Sequence, residues 1–80
     1  MARPNIYDAI ETERAYQDKK YGDQHDRQLS LGDFILIIEE ELSEAKQEFV
    51  RNGRIFSLRE ILQVAAVCVA CMEVHGVVER

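Results

Sequence analysis

Apolar residues recur at spacings of three and four from Leu31 to Phe49, through Phe34, Ile35, Ile38, Leu42 and Ala45. Such a repeat is the mark of a helix with one buried stripe. Ser30 stands before it as an N-cap, with Asp33 at the third helical position, so the helix is expected to run from Ser30 to about Arg51. The turn "NGR" at 52–54 separates it from a second pattern. There "SLRE" at 57–60 reads as a capping box, with Ser57 as N-cap and Glu60 reaching back, and opens a helix that continues to about His75, before Gly76. From Ile61 to Val74 this helix is apolar on nearly every side, so it has to be covered all round. The N-terminal part is less strongly patterned. Asn5, with Asp8 three residues on, is the expected cap of a helix that carries Ile6, Ala9, Ile10 and Tyr16 on one side and ends at Gly22. Between Gly22 and Ser30, "GDQHDRQLS" is polar and aperiodic and reads as a loop long enough to carry function.

The fold expected from these patterns is all-α: an antiparallel bundle of three main helices, completed by a partner subunit. With 80 residues, 46% of them hydrophobic, the chain has material for one core, so residues 1–80 are expected to form a single domain. A chain of this size buries only about 60% of the surface its unfolded form exposes, and two helices can hardly cover the third, which points to a homodimer or homotetramer. A net charge of −5 and a pI near 4.9 argue against gripping a nucleic acid polymer by phosphate neutralisation. An anionic substrate would need a cation between it and this protein. The longest apolar run, Ile61 to Met72 interrupted by Gln63, falls short of the ~18 residues of a bilayer span, and "MARPNIYDAIETER" lacks the apolar stretch of a signal peptide. The expectation is therefore a cytoplasmic protein without a membrane partner. Cys68 and Cys71 lie within that run and fit reduced, buried thiols.

Chemistry concentrates in "IEEELSEAKQEF", residues 38–49, where Glu39, Glu40, Glu41 and Glu44 crowd one helix. Residues three and four apart are neighbours at ~5–6 Å, so Glu41 and Glu44 repel, as do Glu40 and Glu44, at ~0.2–0.5 kcal/mol per exposed pair. Basic side chains at the intervening spacings would relieve them, but none is present there. A solvated acidic face is the plain alternative. Glu60 and Gln63, three apart on the following helix, could meet these acids across an antiparallel pair, and an oxygen-only set of this kind suits Mg2+ or Mn2+. Read singly, Glu60 is a capping residue and Gln63 a buried amide. Cys68, Cys71 and His75 share one helix face but lack an obvious fourth ligand for zinc.

Glu40-Glu41-Leu42-Ser43-Glu44, then fifteen residues, then Glu60-Ile61-Leu62-Gln63, resembles the EExxE…ExxD signature of the MazG-like all-α nucleoside triphosphate pyrophosphatases. "RAYQDKKYGDQH", residues 14–25, is similar to the family's N-terminal segment, so the resemblance extends from about Arg14 to Gly76. It implies a Mg2+-dependent pyrophosphohydrolase, with Mn2+ as an alternative cation, that converts a standard or non-standard nucleoside triphosphate to the monophosphate and pyrophosphate. It also implies Glu41, Glu44, Glu60 and Gln63 as metal ligands, with Glu40 and Glu41 as catalytic residues and Glu40 orienting or deprotonating a water. Lys19 and Lys20 are suited to phosphate contacts, although both also suit the C-terminal end of a helix dipole. Tyr21 could stack on a base, and Gln24 or His25 could read its edge. The chain departs from the family in carrying Gln63 where the signature closes on Asp, and in stopping soon after the second acidic helix. The first departure supports an alternative, a non-catalytic MazG-like interaction module with a degenerate metal site whose acidic patch binds a basic partner. The second again implies completion by a neighbouring subunit.

Overall fold

The computed structural model describes the backbone of residues 1–80 and every side chain except that of Asp23. Four helices follow one another: α1 (Arg3–Tyr21), α2 (Asp23–Arg27), α3 (Leu31–Arg51) and α4 (Arg54–His75), with no strand among the described residues. α3 and α4 form a tightly packed hairpin, and α1 and α2 rest on α4 and on each other. The chain is thus all-α, with three long helices and one short one.

α3 begins where its sequence says. Ser30 Oγ accepts from the Asp33 backbone N–H at 3.0 Å, and Asp33 Oδ2 accepts from the Ser30 N–H at 2.9 Å. These bonds hold the Asp33 carboxyl below its ordinary value, the Ser30 backbone N–H contributing most.

The ends at Gly22, Arg51 and His75 also fall where expected, but the other three helix starts differ from expectation. α4 starts at Arg54, one turn before the expected Ser57 cap. Gly53, at φ +92°, turns the chain in a conformation that L side chains rarely adopt, and α4 therefore opens immediately after α3 ends. Ser57 is inside the helix and its hydroxyl donates to the Ala45 carbonyl at 2.8 Å, tying α4 to α3. The expected 57–60 capping box is thereby replaced by an interhelical bond, and Glu60 is free for another role. α1 starts at Arg3 with Ala2 as N-cap, so Asn5 is helical and does not cap. Pro4 explains the shift: its fixed φ and missing N–H suit the first turn. The 22–30 segment is not a loop throughout, since Asp23–Arg27 winds into α2. Gln28 and Leu29 close it by donating to the carbonyls of His25 and Asp26 at 3.3 and 3.1 Å.

The fully buried apolar residues are Phe34, Ala45, Ala66 and Ala70. Three alanines among them let α4 approach its neighbours closely. Much of the remaining apolar surface is open: Ile55, Phe56, Leu58, Ile61 and Met72 of α4 are 43–66% exposed, and Leu36, Phe49 and Val50 of α3 are more than half exposed. α4 is also longer and more apolar than its longest uninterrupted run suggests. Its 22 residues include an 18-residue window of mean hydropathy 1.8, enough by length and composition alone to cross a membrane, with 11% of that window buried within the chain. Counted over the whole helix, α4 thus reaches the span length that the run from Ile61 to Met72 falls short of.

Among the described residues one charged side chain is buried. Arg14 on α1 is 6% exposed, and its guanidinium donates to Glu73 of α4 through Nε (2.9 Å) and Nη2 (3.3 Å). It also donates to Gln17 and Asp18 of its own helix, both at 3.0 Å, and to Asp26 of α2 at 3.5 Å. A second tie lies at the end of α4, where His75 Nε2 donates to the Leu29 carbonyl at 2.9 Å and its ring meets Phe34 edge-on.

Candidate metal centre and adjoining cavity

The α-helical repeat sets Glu41 and Glu44 on one face of α3, and the hairpin brings Glu60 of α4 to them. One carboxylate oxygen from each of the three lies within 4.8 Å of the others. Glu41 and Glu60 are half-buried and Glu44 is exposed. Among the described residues this is the one set of His, Cys, Asp and Glu side chains that converges in this way.

The electrostatics are unfavourable in the chain alone. Burial raises the Glu41 carboxyl above its ordinary value, and Glu44, Glu60 and Glu40 add to the effect. Glu60 is raised by burial first, then by Glu44 and Glu48. Glu41 Oε2 and Glu60 Oε2 are both buried with no hydrogen-bond partner among the described residues. Leaving a buried acceptor unsatisfied costs about 1–3 kcal/mol, and more when it is charged. A divalent cation relieves both problems together, by neutralising the repulsion and satisfying the two orphaned oxygens. The residues fit such an ion: three carboxylates converge, and the donors are oxygens throughout.

Beside this cluster is a cavity of about 410 Å³. Tyr16, Gln17, Lys20 and Tyr21 of α1 and His25 and Asp26 of α2 form one wall. Phe34, Ile37 and Glu41 of α3 form the facing wall, with Gln63, Val67 and Ala70 of α4 between them. Glu41 therefore belongs to both the acidic cluster and the cavity. Gln63, half-buried, opens onto the cavity next to it. Tyr21 and His25 stack with centroids 5.7 Å apart at 30°, and Lys20 Nζ lies 5.1 Å from the Tyr21 ring.

The structure thus brings together Lys20, Tyr21, His25, Glu41 and Gln63 around the cavity, and Glu41, Glu44 and Glu60 around one point at its side. Lys19, Gln24 and Glu40 are exposed and lie outside the cavity lining, although the Glu40 charge is felt by Glu41. Glu13, Gln17 and Asp26 line the cavity and were not singled out from the sequence, and Tyr16, which also lines it, was read only as part of the apolar side of α1. For α1 a signal existed: positions 13, 16, 17 and 20 follow the i, i+3, i+4, i+7 rule, but three of the four are polar and an apolar count registers only Tyr16. Glu48, which contributes to the field at Glu60 and accepts from Asn52 Nδ2 at 2.7 Å, was likewise not anticipated. Cys68 and Cys71 are half-buried free thiols, and His75 is committed to Leu29, so the three form no converging ligand set.

None of the family models, curated proteins and solved structures compared with the chain matches it.

Proposed function

We propose that the protein is a Mg2+-dependent nucleotide pyrophosphohydrolase of the MazG-like kind, which cleaves a nucleoside triphosphate to the monophosphate and pyrophosphate. The observation that carries this reading is the convergence of Glu41, Glu44 and Glu60 with two buried, unpartnered carboxylate oxygens at the side of a cavity. Glu41, Glu44 and Glu60 would hold the cation, and Gln63 would add a neutral oxygen. Bound there, Mg2+ or Mn2+ would supply the positive charge that an acidic protein lacks toward triphosphate oxygens. Lys20, on the facing wall, would donate to a phosphate oxygen, and Lys19 would assist from the exposed side of the same helix end. The Tyr21–His25 stack offers a flat surface for a base, and Gln24, exposed and next to His25 in the chain, would read the base edge. Glu40, exposed and next to Glu41, would accept the proton of an attacking water.

The open apolar faces of α3 and α4 support assembly as a homodimer or homotetramer in which a second copy covers them. Glu60 lies within α4, close to Glu41 and Glu44, so using the hydropathy of that helix to cross a bilayer would carry carboxylates into hydrocarbon. A covering subunit meets the same apolar surface without that penalty.

The test is a panel of standard and damaged nucleoside triphosphates assayed for pyrophosphate release with wild type and Glu60→Ala, alongside thermal melts in millimolar Mg2+. Activity and a raised melting midpoint in wild type, both lost in Glu60→Ala, are the expected result. A wild type that releases no pyrophosphate and melts identically with and without Mg2+ would leave the interaction module, favoured by Gln63 in place of an Asp, as the better reading.

A further inference from the structure

The cavity has two walls with different supports. Glu41, Phe34 and Ile37 stand on α3, which α4 holds through a long packed interface, whereas Lys20, Tyr21 and His25 stand on α1 and α2, which reach the rest of the protein through α4. α1 has little apolar surface to hold it in place: its one buried residue is Arg14. That guanidinium contacts all three elements that matter for the second wall: α1 itself, α2 through Asp26, and α4 through both oxygens of Glu73.

Two of its partners face the cavity. Arg14 Nη1 donates to Gln17 Oε1, which fixes the amide with its oxygen turned to Arg14. Arg14 Nη2 reaches Asp26 Oδ2, and the other oxygen of Asp26 lies 3.5 Å from His25 Nδ1, while the His25 ring stacks on Tyr21. The side chains form one chain from the buried guanidinium to the aromatic pair at the cavity.

We propose that Arg14 is a positioning residue for ligand binding, whose fork to Glu73, Asp26 and Gln17 sets the α1–α2 wall of the cavity against the acidic α3 wall. It touches neither the acids nor the reacting bond. It acts by holding Lys20, Tyr21 and His25 at the right distance from Glu41, so its loss weakens substrate binding and leaves the metal cluster intact. This inference rests on the proposed pyrophosphohydrolase reading for its substrate, but not for its geometry.

Arg14→Lys keeps the positive charge and loses the planar fork. With the triphosphate that wild type hydrolyses fastest, KM is expected to rise about tenfold or more while kcat stays within about threefold, and the Mg2+-induced rise in melting midpoint is retained. Glu73→Gln removes one charged partner at a half-exposed position and is the variant less prone to unfold; its KM is expected to move the same way, about threefold. Unchanged KM in both variants, or a fall in kcat with KM unchanged, overturns the proposal. Amide hydrogen exchange supplies the arm that needs no substrate: peptides within residues 3–29 of Glu73→Gln should exchange faster than in wild type, and those within 31–51 should not. Equal exchange in 3–29 overturns the positioning role. A wild type without activity or Mg2+ response is instead a failure of the proposed function, and the exchange result still decides the role of Arg14.

Discussion

Two charge clusters, one around Arg14 and one around Glu41, adjoin the same cavity, and they are solved in opposite ways. Around Arg14, one buried cation is surrounded by carboxylates and an amide from α1, α2 and α4, and the Glu73 hydrogen bond raises its pKa further while burial opposes the effect. Around Glu41, three anions from α3 and α4 converge without a cation, and two of their oxygens have no partner among the described residues. The first cluster is complete within the chain and holds helices together. The second has two carboxylate oxygens without such partners among the described residues, and that difference is what supports the proposed metal site.

The largest effect should come from removing an acid from the incomplete cluster. If the cluster holds the catalytic cation, Glu60→Ala or Glu41→Gln should lower pyrophosphate release by two or more orders of magnitude while circular dichroism shows the helices intact, because loss of transition-state charge neutralisation costs about 3 kcal/mol or more. Residual activity within tenfold of wild type would remove these acids from the mechanism.

The complete cluster should respond in stability. Arg14→Met leaves Glu73, Asp18 and Asp26 without their shared cation. Breaking a fully buried ion pair costs about 3–5 kcal/mol, and since Glu73 is 53% exposed and can rehydrate, about 2 kcal/mol is expected in urea unfolding. In the absence of divalent ions, Glu41→Gln should do the reverse and stabilise the protein by about 0.5–1 kcal/mol, by deleting repulsion with Glu44, Glu60 and Glu40. Destabilisation by Glu41→Gln would mean that its carboxylate is already satisfied in the chain alone.

The contrast also shows which parts of the molecule were readable beforehand. α3 was legible because its stripe and its Ser30–Asp33 capping box are local, written within a few residues of each other. The acidic convergence was legible for a related reason: i, i+3 spacing fixes Glu41 beside Glu44, and a hairpin with a short turn brings Glu60 across. The start of α4 was misread because "SLRE" is a valid local signal that Gly53 overrides by turning the chain one step earlier. Arg14 showed only the i+3 and i+4 spacing to Gln17 and Asp18, an ordinary surface pattern that gave no sign of its burial. An arginine is ordinarily a surface residue, and its main partner, Glu73, lies 59 residues away. Lys19 and Lys20 were indistinguishable in sequence and both are exposed, yet a step of ~100° around the helix puts Lys20 on the cavity lining and Lys19 outside it. Local chemistry was readable, and long-range satisfaction was not.

The smallest effect is a pH dependence whose sign separates the unpartnered acids of the Glu41 cluster from a satisfied carboxylate, Asp33 at the α3 cap. Glu41 and Glu60 have carboxyls raised above the ordinary glutamate value of 4.5, so the folded protein binds their protons more tightly than the unfolded chain does. Their contribution to stability is therefore fully present below about pH 4.5 and is lost as pH rises through the raised values, the opposite of a paired carboxylate. Asp33, lowered by its bonds to Ser30, has the usual sign: its contribution is present above its ordinary value of 3.8 and is lost as pH falls through the lowered one. The two windows barely overlap, so a titration of unfolding free energy from pH 7 down to about 4.5, without divalent ions, isolates the acids. The wild type should gain stability over that interval relative to a Glu41→Gln, Glu60→Gln double variant, and millimolar Mg2+ should abolish the gain, because a bound cation favours the ionised carboxylates that acid removes. A wild type that loses stability relative to the double variant over the same interval would mean that the acids are paired within the assembly, and the contrast with Arg14 would disappear.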